Sequence, residues 1–478
     1  MMEAPCDMFV CYNEWATNML KVQMTTDFVY EYEKETYNVE RGVYLSEDIM
    51  PHTEIFSIPL DAMLTVKSLQ TNEVLQRIAF FQQFNPEQED DQLAIALLYE
   101  KFVLGSKSKW FKHIELLPET YHNVLYFEEE QLRALEGSNL FYIAQQMEMK
   151  VAQDYARLKD SVLLDLFENV TASVNIDQFD EFFSYDNYKW ALSTIWSRFV
   201  SLRLHENLFL LKEHAGITEE SSTLTMKSSG GLTTKQSFKA MVPVFDMLNH
   251  DPEAEMSHFF DTASQRFKLV SHQHWNAGVQ MFINYGPLSN HKLLSLYGFV
   301  IIGNQYDAVE MWLPMDEGST KFYKEKEQLL RSGGLDHASN AFELVADESN
   351  DLLLIAARIQ EINCETTEKL EALADRALNG EMVSLENEQE ALARLIYTLE
   401  KMLEAFPTSI EEDDKLLEFW NNDLGKQSDS LNHEWMAVAI RRSDKHILTE
   451  NINMLKWKLL DILQKVKSGQ RECTPDVM

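Results

Sequence analysis

Residues 242–250 read VPVFDMLNH, and residues 283–286 read INYG. The first stretch is apolar and strand-like until it closes on Asn249 and His250, two side chains rich in hydrogen-bonding groups. A buried segment carries such groups only where they find partners, because each one left unpaired costs on the order of 1–3 kcal/mol. A satisfied turn would account for an isolated Asn-His pair. A half-buried strand tyrosine would account for Tyr285 taken alone. The question is whether the two stretches serve one site.

Composition narrows the classes of answer. The chain has 478 residues, enough for two or three domains. Hydrophobic residues make up 45% and charged residues 25%, as in ordinary globular proteins. Lys and Arg total 42 against 77 Asp and Glu, a formal net charge of −35. Such a surface repels phosphate backbones and anionic lipid, so neither nucleic acid nor a membrane is the expected partner. It suits a basic protein ligand, or serves solubility alone. Cys6, Cys11, Cys364 and Cys473 form no C-x-x-C pair. They read as reduced thiols of a cytoplasmic or nuclear protein, with no zinc-site spacing. MMEAPCDMFV lacks the pattern of a secretory signal, and no apolar run approaches the roughly 20 residues of a membrane span.

Along the chain, residues 38–66 read as short strands with turn signals at Arg41-Gly42 and Pro51. Helical spacing follows from about 68, with Gly105 as a stop. The stretch 186–206 reads as a further helix with Asp186 as its N-cap. Residues 216–237, rich in Ser, Thr and Gly, read as a loop. KAMVPVFDML, RFKLVSH and VQMFINYG read as strands, and helical spacing resumes after 310 to about 467. The fold class is therefore α+β: a β-fold split by a helical insert and followed by an all-α C-terminal domain. The expected boundaries are 1–67, 68–190, 191–310 and 311–478.

The order of the motifs joins the two opening stretches. Arg41-Gly42 precedes a helical insert; WSRF at 196–199, DMLNH at 246–250, INYGPLSN at 283–290 and LLSLYGFV at 293–300 follow. This series resembles the SET-domain protein methyltransferases. More closely it is similar to the branch typified by the Rubisco large-subunit lysine methyltransferase, which has a helical insert and a C-terminal helical substrate-binding domain. ALLYEKFVLGSKSKWFKHIELLPETY at 96–121 and WMAVAIRRSDKHIL at 435–448 carry the likeness further, so it covers about 40–450. The resemblance implies S-adenosylmethionine as cofactor, touched by the backbone at Arg41 and Gly42. It implies Ser197 and Arg198 near the cofactor carboxylate, with Asp246, Asn249 and His250 in the segment that holds its amino and adenine ends. It implies Tyr285 as the active-site tyrosine, also beside the cofactor, and Tyr297 as a second aromatic near the methyl group and the target amine. The family's usual Gly-x-Gly is here Glu40-Arg41-Gly42, which puts a Cβ where backbone would approach the ligand. No cysteine lies between 11 and 364, which excludes the SET class with a zinc motif after the tyrosine.

Methyl transfer from a sulfonium is an in-line displacement, so the protein mainly aligns a neutral nitrogen with the S–CH₃ bond. A lysine amine, with its pKa near ~10.4, needs a desolvating channel to lose its proton. Two tyrosine rings can wall such a channel and tolerate the cation. No metal is required. His272 and His274 sit on one strand face without a third ligand, and His258 has no assigned role. Trp190 and Trp196 read as core. The expected activity is N-methylation of lysine in a protein substrate, for which a Lys- and Arg-rich target would suit the acidic surface. The alternatives are methylation of a protein histidine, whose imidazole is largely neutral at pH 7, and a non-catalytic SET-fold binding module.

Overall fold

The computed structural model describes residues 8–32, 41–83, 85–170, 179–204, 236–336, 341–423 and 429–468. Glu40 and most of the 216–237 stretch lie outside the described residues. The chain forms two compact units, one of residues 1–121 and 148–287, the other of 122–147 and 288–478. The boundaries expected from sequence follow changes of secondary structure, whereas these follow compactness.

In the first unit the largest sheet is antiparallel, in the order Gln23–Met24, Thr53–Pro59, Arg266–Ser271, Met256–Asp261. Phe267 pairs with Ile58 on one side and Phe260 on the other. Along Arg266–Ser271 burial alternates, with Phe267, Leu269 and Ser271 inward, as the two-residue period of a strand demands. A second antiparallel sheet joins Leu64–Thr65, Gln236–Met241 and Phe199–Leu204. The pair Phe28–Tyr32 and Arg41–Leu45 forms a third.

The helix Glu89–Leu98 is the hub of the insert. Every residue from Asp91 to Glu100 is buried, so an apolar stripe does not describe it. Its acidic first turn is tied down on several sides. Tyr188 donates to Asp91 at 2.5 Å, the Trp196 indole donates to Asp90 at 3.0 Å, and Lys239 pairs with Asp90 at 2.6 Å.

The helix expected over 186–206 runs only from Tyr185 to Arg198. Beyond it Val200 and Leu202 are buried while Ser201 is exposed, and Phe199–Leu204 pairs with Gln236–Met241 as a strand. Ladder bonds with a neighbour distant in sequence outweigh local propensity there. Ser184, not Asp186, is the N-cap, accepting from the Asn187 amide at 3.2 Å. Asp186 sits in the first turn, where its charge still favours the helix dipole.

The second unit is mostly helical: Tyr323–Ser332, Asp351–Gln360, Thr367–Leu378, Leu385–Glu404, Ile410–Asp423 and Asp429–Lys467. Asn350, Thr366 and Ser384 cap three of these. The expected all-α domain is interrupted by Phe342–Leu344, which pairs with Val309–Met311. Phe342 and Leu344 are buried and Glu343 is exposed, a strand period. Charges inside this unit are matched. Arg358 forks onto Glu388 at 2.6 and 2.8 Å, and Asp413 takes both Arg441 and Lys445 at 2.6 Å.

His291 lies 2.8 Å from Asp444 in the same unit. Burial opposes its protonation, but the Asp444 carboxylate overrides this and raises its pKa. The stability this contributes is full below the unfolded value of 6.5 and is lost as pH rises through the higher folded value.

Gly298 has φ +82°, and a Cβ there would meet the backbone of Asn123 and His122 at 2.8 Å. Gly298→Ala combines left-handed strain with a backbone clash, and should destabilise by about 2–4 kcal/mol. A urea midpoint equal to that of the parent would contradict this packing.

Candidate functional site

The stretch 242–250 is not a strand for most of its length. The ladder ends at Met241. Val244 then has φ 76° and ψ −52°, a strained conformation for a β-branched residue. A 3₁₀ turn at Phe245–Met247 follows, with Asp246 N–H on the Val242 carbonyl at 3.1 Å. Only Asn249 and His250 regain strand geometry. They pair in parallel with Phe282 and Ile283. The segment just before that pair is stitched to the Arg41–Leu45 strand: Met281 N–H bonds the Val43 carbonyl at 2.7 Å, and Gly278 N–H the Leu45 carbonyl at 2.8 Å. Residues 278–283 thus join Arg41–Leu45 to Asn249-His250, which brings three distant motifs together.

Asn249 spans the junction. Its amide donates to the Arg41 carbonyl at 3.1 Å and to Gln280 Oε1 at 2.8 Å. Gly42 lies in the adjoining strand, where an added Cβ would come within 2.8 Å of both Tyr44 and Gln280. The crowding at Gly42 comes from these two side chains, which would have to shift to admit a Cβ, and not from an unusual backbone angle. His250 Nδ1 accepts the Tyr285 N–H at 3.0 Å, so the neutral ring carries its proton on Nε2. The two rings stack with centroids 4.9 Å apart. The Tyr285 hydroxyl donates to the Leu248 carbonyl at 2.8 Å. With its proton committed, that oxygen offers lone pairs and acts as an acceptor. Asn284 holds the turn by bonding the Pro252 carbonyl and the Gly286 N–H, both at 2.8 Å.

Two arginines converge on the same turn. Arg198 Nη1 donates to the Asp246 carbonyl at 2.5 Å and lies 3.9 Å from Met247 Sδ. Arg41 donates to the Leu116 carbonyl at 2.6 Å and to the Met247 sulfur. Burial works against the charge of Arg198, yet Tyr121, Asp246 and Tyr285 nearby keep its pKa above the ordinary value. Its buried Nε finds no hydrogen-bond partner. The half-buried guanidinium is held by a carbonyl, a thioether and the Tyr121 hydroxyl, and its charge is of the kind that attracts an anionic group such as a carboxylate. The Ser197 hydroxyl turns back to the Ser193 carbonyl at 2.8 Å. The Asp246 carboxylate faces inward with no exposed surface, 2.9 Å from His113 Nε2. The Asp246 backbone is engaged as well, its N–H by the Val242 carbonyl and its carbonyl by Arg198.

The first unit therefore gathers Arg41, Gly42, Arg198, Asn249, His250 and Tyr285 around one turn, with Ser197 and the Asp246 side chain braced behind. Tyr297 belongs to the second unit, where it closes the turn Leu293–Tyr297 ahead of Gly298 and burial pushes its hydroxyl up. Gln280, His113 and Met247 were not singled out from sequence. No local pattern marks them, since His113 and Asp246 are 133 positions apart. His272 bonds Ser257 at 2.7 Å, and His258 packs on Phe245 and Phe267. Among the described residues no three potential ligands form a metal cluster. Trp190 is buried and its indole donates to the Pro118 carbonyl at 2.8 Å.

Burial lowers the pKa of His250 from its ordinary 6.5. Its neutral form holds the Tyr285 amide, so the stability it contributes is present above pH 6.5 and is lost as pH falls through the lower folded value. A proton-resonance titration of the His250 ring should give a midpoint below 6.5. A midpoint at or above that value would contradict the geometry.

The family model for Rubisco LSMT substrate-binding matches residues 317–448. Actin-histidine N-methyltransferase of Mus musculus is 26% identical over 421 residues, covering 86% of this chain and 63% of that protein. The Danio rerio protein of the same name is 24% identical over 440 residues, covering 90% of this chain and 65% of its own length. The chain thus spans less than two thirds of these relatives. Among solved structures, the SET domain of LSMT bound to lysine and AdoHcy superposes with a TM-score of 0.73 at 19% identity, covering 96% of this chain and 92% of that one. Rubisco LSMT bound to AdoMet superposes with a TM-score of 0.73 at 19% identity, covering 98% of each chain. The chain thus shares the fold of the LSMT SET-domain structures, and its residues 317–448 match the Rubisco LSMT substrate-binding family.

Proposed function

We propose that this protein transfers a methyl group from S-adenosylmethionine to a side-chain nitrogen of a protein, and that the nitrogen is that of a histidine. The observation that carries the transferase reading is the acceptor state of Tyr285. Its hydroxyl proton goes to the Leu248 carbonyl, so toward a bound group that oxygen can act only as an acceptor of polarised C–H or N–H groups. S-adenosylmethionine supplies an electrophilic methyl group on a sulfonium. The charge of the Arg198 guanidinium would suit its carboxylate, and the Arg41-Gly42 backbone, Asn249 and His250 would hold the rest. AdoMet and AdoHcy in the structural neighbours support the same cofactor.

The choice of histidine over the lysine expected from sequence rests on two supports. The relatives that align over most of this chain are named for actin histidine. Among the described residues, neither of the two side chains nearest the Tyr285 turn that could take a lysine proton is placed to do so. His250 Nδ1 is engaged by the Tyr285 amide, and the Asp246 carboxylate faces inward. An imidazole, with its pKa near ~6.5, is mostly neutral at pH 7 and needs alignment only. The target is then a polypeptide, and the C-terminal helical unit is the candidate for holding it.

The test is incubation of the purified chain with labelled S-adenosylmethionine and actin, or a cell lysate, followed by hydrolysis and amino-acid analysis. Methylhistidine is expected. Methyllysine alone would restore the lysine reading, and failure to bind cofactor by a folded protein would favour a non-catalytic module. Tyr285→Phe should lower turnover on the order of 10²-fold with little change in cofactor affinity, because the hydroxyl acts chiefly in the transition state. Arg198→Met should instead weaken cofactor binding.

A further inference from the structure

Behind the site runs a hydrogen-bond chain that the methyl-transfer reading does not use. Tyr12 is fully buried, and its hydroxyl lies 3.1 Å from Val244 N and 2.9 Å from His113 Nδ1. His113 Nε2 lies 2.9 Å from Asp246 Oδ2. The direction of the chain follows from donor capacity. The Val244 N–H can only donate, so the Tyr12 oxygen accepts it and passes its own proton to Nδ1. His113 then carries its proton on Nε2 and gives it to the carboxylate. Each proton is used once. Burial pushes the Tyr12 hydroxyl up, which keeps it a donor.

The chain acts on a strained turn. Val244 holds a positive φ that a β-branched residue adopts only where its surroundings enforce it. The Asp246 carboxylate has a single hydrogen-bonded oxygen; Oδ1 is buried without a partner. Two backbone outputs leave the turn. The Asp246 carbonyl takes Arg198, and the Leu248 carbonyl takes the Tyr285 hydroxyl. A shift of a few tenths of an ångström in this segment therefore moves both groups.

We propose that Tyr12 and His113 are positioning residues: through Asp246 they set the Asp246–Leu248 carbonyls, and through those carbonyls they orient Arg198 and the Tyr285 hydroxyl. The inference rests on the methyl-transfer reading for the roles of Arg198 and Tyr285. Tyr12 lies 101 positions before His113, and His113 lies 133 before Asp246, so the brace is made only by folding.

Tyr12→Phe removes the hydroxyl and keeps the ring, which packs on Tyr30 with centroids 5.3 Å apart. It should lower the rate of labelled methyl transfer about ten-fold while the protein remains folded. In a Tyr285→Phe background the same change should cost distinctly less than ten-fold, because the Tyr285 route is already cut and only the Arg198 route remains. His113→Gln, which can still accept from Tyr12 and donate to Asp246, should retain more activity than His113→Leu. Unchanged rate in Tyr12→Phe, or a full ten-fold loss repeated in the Tyr285→Phe background, would overturn the positioning role. Hydrogen exchange at the Val244, Asp246 and Leu248 amides provides a readout that needs no activity. Exchange should be at least ten-fold faster in Tyr12→Phe than in the parent, and equal exchange would overturn the brace. A parent that neither binds S-adenosylmethionine nor methylates would sink the functional reading, with the brace still judged by exchange.

Discussion

Asn249 and His250 lie parallel to Phe282 and Ile283, and the polar contacts of the candidate site hang on that two-residue pairing. It sets His250 Nδ1 opposite the Tyr285 amide and brings the Leu248 carbonyl within reach of the Tyr285 hydroxyl. It also sets Asn249 against Arg41 and Gln280. A slip of one residue would turn each side chain to the other face, so register and site are the same constraint. The anchoring of Gly278 and Met281 to the Arg41–Leu45 strand resists that slip.

Around this pairing the protein concentrates charge under partial burial. Arg41 and Arg198 meet the Asp246–Met247 turn, and the Asp246 carboxylate lies behind them with no exposed surface. Charges held this way are costly unless each is hydrogen-bonded, and removing one partner typically costs about 3–5 kcal/mol. The unused Nε of Arg198 and Oδ1 of Asp246 show that the internal bonding is incomplete. Leaving a buried donor and a buried acceptor unpaired costs stability. The strained Val244 belongs to the same trade, since the turn it creates aims two carbonyls at Arg198 and the Tyr285 hydroxyl.

The second unit is governed by different physics. Its core is built from helix faces of ordinary 3.6-residue period, with capped ends and matched internal ion pairs. Those features suit a rigid scaffold. The residues 124–144 that pack with Met436, Ala437 and Ile440 show that part of the insert is core of this unit.

Much was legible in the sequence. Helical periodicity after 310, the α+β class and the motif series from Arg41 to Tyr297 all read from local pattern, because periodicity and turn chemistry are properties of neighbouring residues. The fold followed from the order of those motifs. What needed the tertiary structure was every feature set by distant partners. The strand at Phe199–Leu204 exists because Gln236–Met241 pairs with it, and VPVFDML bends where a strand was expected because Val244 is held in a strained turn. The inward carboxylate of Asp246 and its tie to His113 and Tyr12 leave no trace in local sequence. Hydrogen bonds across more than a hundred residues are formed by the fold and not by spacing along the chain. Sequence therefore determined which residue types were available for the site, and tertiary structure alone decided which of them gather around the Asp246–Leu248 turn and which lie behind it.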